Sequence, residues 1–96
     1  MQFLAILRRN TGDFTDADFA PKLEDEVQQA RALYLEGFIR QIWHRGDVPG
    51  ACIIVESDSE ESVRAKIKTL PFAALGMILV DSVIPLNPYR GFGPRS

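Results

Sequence analysis

The stretch Phe38-Ile39-Arg40-Gln41-Ile42-Trp43-His44-Arg45 puts a guanidinium, an indole and an imidazole within five consecutive positions, 40 to 44. Arginine offers a planar donor fork that matches a carboxylate, so Arg40 can anchor an anionic ligand. Its plainer role is a structural ion pair with Asp81. Histidine has an intrinsic pKa close to neutrality, which suits His44 to proton shuttling; the plainer reading is an exposed, idle side chain near the end of a hairpin. Asp81 stands among Val80, Ser82 and Val83, where an unpaired carboxylate is costly. It is therefore either a general base or the partner of Arg40. Glu36 precedes Gly37 and is either a solvated helix end or a base at a pocket edge. Trp43 and Tyr34 can wall a pocket or simply fill a core or interface. Read as a site, the candidate catalytic groups are His44, Asp81 and Glu36, and the candidate substrate-binding groups are Arg40, Trp43 and Tyr34. A base with a tuned pKa and a cationic anchor are the parts needed to move a proton on a small anion.

Other chemistries lack their residues. Cys52 is the only cysteine and His44 the only histidine among the 96 residues, so neither an intrachain disulfide nor an imidazole metal cluster is expected. Cys52 lies in the apolar run Ala51-Cys52-Ile53-Ile54-Val55 and reads as a small buried hydrophobe. There is no glycine-rich phosphate loop, and Gly91-Phe92-Gly93 has no helix after it; no cofactor and no metal are expected. Thirteen acidic and 11 basic residues leave a formal net charge of −2, which gives no footprint for nucleic acid or an anionic membrane. Arg64, Lys66 and Lys68 read as a solvated helix face. No apolar run approaches the ~20 residues needed to span a bilayer. Met1-Gln2-Phe3-Leu4 carries no charged leader before an apolar stretch, and the expected location is the cytoplasm.

Elements must hold these groups in place. Residues 2–8 are an apolar run closed by Asn10-Thr11-Gly12-Asp13, the length and punctuation of a strand. Thr15 can cap a helix whose start is favoured by Asp16 and Asp18. Phe19, Leu23, Val27, Ala30 and Tyr34 form one apolar stripe on a helix running to about Glu36. Pro21 is tolerated near its start, and Gly37 ends it. Residues 38–45 read as a second strand, with Phe38, Arg40, Ile42 and His44 on one face and Ile39, Gln41, Trp43 and Arg45 on the other. Gly46 to Gly50 turns the chain into a third strand over 51–56. Asp58 and Glu61 suggest a capping box for a second helix, with Val63, Ile67 and Leu70 inward and Pro71 at its end. Residues 77–84 form a fourth strand.

The order β-α-β-β-α-β is the split βαβ motif: an α+β, ferredoxin-like domain over residues 1–85, with a four-stranded antiparallel sheet and both helices on one face. Residues 86–96 form a proline- and glycine-containing tail expected to pack at a subunit interface. A sheet covered on one face should alternate apolar and polar residues. Here Phe3/Ala5/Leu7 and Leu4/Ile6 are both apolar, as are Ala51/Ile53/Val55 and Cys52/Ile54, and Met77/Leu79/Val83 and Ile78/Val80/Ile84. The second face needs a cover. A chain this short is marginal alone, so the expected partner is a second copy, sheet against sheet, in a dimeric α+β barrel.

From Leu35 to Pro88 the sequence resembles the muconolactone isomerase family. Glu36-Gly37, Arg40, Trp43, Leu70-Pro71, Val80-Asp81 and Pro88 carry the resemblance, with Met1-x-Phe3 at the start. The hairpin and second helix also look similar, more weakly, to YciI-like proteins of the dimeric α+β barrel superfamily. The resemblance implies cofactor-free isomerisation of a small lactone acid in aromatic-compound catabolism, by a homodimer or a larger ring of barrel dimers. The chain departs from the pattern at His44, where the family tends to have a second basic residue, and in the tail from Leu86 to Phe92. The alternatives are a non-catalytic small-ligand-binding barrel, and a cofactor-free monooxygenase or cyclase of an aromatic polyketide.

Overall fold

The computed structural model describes residues 1–91. Gln2–Arg9 forms β1 at the middle of a four-stranded sheet, flanked by β3 (Gly50–Glu56) and β4 (Ile78–Leu86), with β2 (Ile39–His44) outside β3. All three pairings are antiparallel. The fold is α+β and ferredoxin-like. Along β1, Phe3, Ala5 and Leu7 are buried while Leu4 and Ile6 are half-buried, so alternate side chains go to the helices and to an open face. The core lies on the helix side, where Ile53, Val55 and Val83 meet Leu33 of α2 (Leu23–Leu35) and Val63 and Ile67 of α3 (Glu60–Ile67). A second cluster joins Phe19, Phe72 and Met77, with the Phe19 and Phe72 rings edge-to-face at 5.1 Å.

The first helical stretch is not continuous. It comprises α1 (Asp16–Phe19), a 3-10 turn over Ala20–Lys22, and α2. Pro21, with no N–H to donate, sits in that turn. The Asp18 carboxylate accepts the Thr15 N–H at 2.7 Å, which fixes the start. The 3-10 turn changes the phase of α2 relative to α1. Leu33, at 3% exposure, is the buried residue of α2, whereas Leu23, Val27 and Tyr34 of the expected stripe are exposed. Gly37, with φ +91°, ends α2 in the left-handed region, and the Phe38 N–H returns to the Leu33 carbonyl at 3.0 Å. The cap of α3 is Ser59, whose hydroxyl accepts the Ser62 N–H at 3.1 Å, and not Asp58. Pro71 opens a further turn, α4 (Pro71–Ala74), at the helical position where its missing N–H matters least. Pro85, placed by sequence at the edge of the domain, belongs to β4 and pairs with Phe3. That is tolerated because β4 is an edge strand. Residues 92–96, the last part of the tail expected at a subunit interface, lie outside the described residues.

Two β-bulges change which residues share a face. In β2, Ile39 pairs with Val55 but Gln41 pairs with Ile54, leaving Arg40 as the extra residue. Ile39, Ile42 and His44 therefore point to the helix side, with Gln41 and Trp43 opposite, in place of the strict alternation read from sequence. In β4, Ser82 pairs with Ile6 and Val80 with Leu7, so Asp81 is the extra residue. Ile78, Val80 and Val83 consequently share the helix face, and Leu79, Ser82 and Ile84 the open one.

Candidate functional site

Between α2 and the outer half of the sheet is a cavity of about 460 Å³, within the range of small-ligand pockets. Leu23, Val27 and Ala30 of α2 form one wall, Ile42 and His44 of β2 another, and Leu7, Ala51 and Ile53 the floor. This explains the exposed stripe on α2: its apolar residues face a cavity instead of a packed core. His44 pairs with Ala51 and so lies on the cavity side of the sheet. Trp43 also lines the cavity along the strand edge, although its partner Cys52 puts the indole on the open face, where it is 61% exposed.

The cavity contains a carboxyl that the sequence reading missed. Glu26 lies in phase with Leu23 and Ala30 on α2, so the helix carries it into the apolar wall. Its Oε1 accepts the Phe72 N–H at 2.9 Å, at the start of α4. Burial nevertheless pushes the carboxyl above the usual range, the Phe72 hydrogen bond acting the other way. An acidic residue interrupting an apolar stripe was the available signal. Arg9 lines the same cavity, with its guanidinium 4.5 Å from the centroid of the Phe19 ring and 3.9 Å from Asp16.

The other candidates are dispersed. Tyr34 and Arg40 line a smaller neighbouring groove and not this cavity. Glu36 holds Lys66 of α3 at 2.6 Å on the exposed surface. Asp81 does not pair with Arg40. It binds Arg8 at 3.1 Å and Arg45 at 3.0 Å. The reason is topological, since β2 and β4 are opposite edges of the sheet and Arg40 lies mid-strand, three strand spacings or roughly 14 Å away. Arg45, beyond the end of β2, folds back over Gly50, where a Cβ would meet its Cδ at 3.1 Å. It then reaches Asp81 across the open face while also gripping Asp47 at 2.7 Å. Hydrogen bonds from Arg45 hold both the Asp47 and the Asp81 carboxyls below their ordinary range. Cys52 is half-buried on the open face, not in the core.

Among the described residues no three His, Cys, Asp or Glu side chains gather closely enough to hold a metal ion. Among the described residues, too, no helix is long and apolar enough to cross a membrane.

No protein-family profile matches the chain, and no curated protein sequence does. Among solved structures it is similar to 5-chloro-2-hydroxyhydroquinone dehydrochlorinase from Burkholderia phenoliruptrix, in complex with 2,5-dihydroxybenzoquinone. The TM-score is 0.59 at 17% identity, over 95% of this chain and 96% of that one. The shared feature is the fold, a four-stranded antiparallel α+β sheet of the ferredoxin-like type.

Proposed function

We propose that this chain is a cofactor-independent enzyme that moves a proton on a small, cyclic, oxygenated acid held between α2 and β2. The observation that carries the reading is Glu26, a carboxyl whose proton affinity is raised by burial in a mainly apolar cavity that His44 and Arg9 also line. Glu26, ionised, takes a proton from a carbon beside a carbonyl, and protonated, returns one elsewhere on the ring. His44 serves the developing enolate oxygen, and the apolar walls keep water away. Isomerisation of the muconolactone type is the finer form, supported by the resemblance from Leu35 to Pro88. A neighbour of the same fold named for a chlorinated hydroxyhydroquinone supports an oxygenated ring as the ligand class.

The test is solvent-deuterium uptake into muconolactone, followed by NMR with the wild type, Glu26→Gln and His44→Gln. Wild-type uptake that falls about 100- to 10,000-fold in Glu26→Gln is expected. A folded wild type that binds the lactone without exchanging it would overturn the enzymatic reading. It would favour a ligand-binding module, in which Glu26 serves only to cap α4 through the Phe72 N–H.

The working unit is a pair of chains, in this proposal, joined across the open sheet face. Leu4, Ile6, Cys52, Ile54 and Ile84 line that face, with Trp43 at its edge. A sheet packs on a sheet at about 10 Å through such side chains, and the dimeric barrel neighbour supports a second copy as the cover.

A further inference from the structure

Arg9 is the last residue of β1, two positions beyond Leu7, so its side chain leaves the sheet on the same side as Leu7, toward the cavity that both residues line. Its guanidinium carbon lies 4.5 Å from the centroid of the Phe19 ring. Phe19 meets Phe72 edge-to-face at 5.1 Å, and the Phe72 N–H is the one that Glu26 binds. The cationic head is therefore laid along the stretch of wall that ends at the Glu26 carboxyl, with 32% of the side chain exposed.

Arg45, which also lines the cavity, has its head committed to Asp47 and Asp81. Arg9 is not so committed. Its contact with Asp16 is long, at 3.9 Å, and that carboxylate is fully exposed, so water cancels most of the attraction. Among the described residues the Arg9 guanidinium donates no hydrogen bond and forms no ion pair with Glu26. Its five N–H donors are unclaimed by the protein. Across the sheet, His44 pairs with Ala51 and Ala51 with Leu7, so the three stand in one row. Arg9 is two residues along β1 from that row, which sets its Cα roughly 12 Å from that of His44. Two long side chains reaching inward over such a span can both donate to one oxygen between them.

We propose that Arg9 is a further catalytic residue, which with His44 receives the negative charge that develops on a ring carbonyl oxygen when Glu26 removes the neighbouring proton. In that step the C–H bond breaks and its proton goes to the Glu26 carboxylate. Its electron pair forms the enolate double bond while the carbonyl π pair moves onto oxygen. Negative charge thus leaves Glu26 and arrives beside Arg9. A guanidinium paired with Glu26 would hold the charge before transfer; one standing apart from it favours the charge after transfer. The inference rests on reading the cavity as the site of proton transfer.

Tetronic acid tests it, being a lactone whose ring enol is ionised at neutral pH and which has no carboxylate arm; methyl tetronate is its uncharged ether. In calorimetric titration tetronate should bind about 10- to 100-fold more tightly than the ether. Arg9→Gln should abolish that preference and leave the affinity for the ether unchanged, whereas Asp16→Asn and Arg64→Gln preserve it. In deuterium exchange of muconolactone, Arg9→Gln should slow the saturated rate about 100- to 1,000-fold, with little change in the half-saturating concentration. Arg9→Lys keeps a charge over Phe19 but not the planar fork. It should lower both the preference and the rate about tenfold, and it is the variant to read if Arg9→Gln does not fold. Equal binding of tetronate and ether by the wild type, or a preference and a rate that survive Arg9→Gln, overturns the role of Arg9. Wild-type exchange in that case leaves the proton-transfer reading in place. An Arg9-dependent preference without wild-type exchange overturns the catalytic role together with that reading and leaves Arg9 as a contact for anions.

Discussion

The Arg45 Nη1 lies 3.0 Å from Asp81 Oδ2, joining the end of β2 to the middle of β4 although two strands separate them in the sheet. The contact crosses the open face at Gly50, and the Arg45 side chain is only 15% exposed. Arg8 completes the arrangement from the other side of Asp81 at 3.1 Å. Asp81 thus works as a clasp between elements in the isolated chain.

Asp81→Asn should therefore lower the melting temperature at pH 7. The Asp81 pKa is depressed by Arg45 first and then by Arg8. A depressed carboxylate stabilises the fold above its unfolded value near 3.9 and loses that contribution as pH falls through the folded value. The gap between wild type and Asp81→Asn should be widest at neutral pH and close as pH falls below the unfolded value and through the folded one. A gap independent of pH would show that the ion pairs are not its source.

Gly50→Ala should disturb the same clasp from below. An added Cβ would clash with the Leu7 carbonyl oxygen, which is backbone and cannot swing aside, and would lie 3.1 Å from Arg45 Cδ. The expected loss is about 1–3 kcal/mol, as for overpacked positions, measurable by urea unfolding. Gly46→Ala, with nothing within 4 Å of an added Cβ, is the control.

Glu26→Gln should separate proton transfer from structure. Glutamine keeps an oxygen to accept the Phe72 N–H, so the fold survives while the acid–base group is lost. The Glu26 pKa is raised by burial. Its stabilising contribution is then complete below the unfolded value near 4.3 and is lost as pH rises through the folded value. Glu26→Gln should gain stability relative to wild type as pH rises above the unfolded value, while wild-type turnover rises as the base ionises. A flat stability difference would assign Glu26 a normal pKa.

Ile54→Lys should separate the proposed pair of chains. Light scattering after size exclusion should give at least twice the 10.8 kDa chain mass for the wild type and the single-chain mass for the variant. Ellman's reagent reports the same event at Cys52, slow in the wild type and fast in Ile54→Lys. A wild type that runs as a monomer and labels quickly would sink the proposal.

The element order was legible in the sequence because turn residues punctuate every strand and Gly37 leaves no choice of helix end. Apolar residues on both faces of β1 and β3 were legible as well, and the open face carries Leu4, Ile6, Cys52 and Ile54. The bulges at Arg40 and Asp81 were not. Each shifts the face assignment by one residue without any glycine or proline to mark it. The phase of α2 was hidden for a similar reason, since the 3-10 turn at Pro21 rotates the helix and brings Leu33 inward. The candidate site suffered most from this. A period-of-two reading placed Arg40 with His44, whereas the bulge sends Arg40 to the groove and His44 to the cavity.

Those bulges bear on how copies of the chain can meet. Free strand edges invite end-on growth into extended sheets, and natural proteins discourage it with charges, bulges and prolines. Both edges of this sheet are so protected: β2 by its bulged Arg40, β4 by its bulged Asp81 and by Pro85. Lateral addition of strands is blocked on both sides, which leaves the open face as the sticky surface. Two copies meeting there related by a two-fold axis consume that surface completely. In the proposed pair association would then end at two copies, and the same irregularities that re-aim two charged side chains would work against growth into longer assemblies.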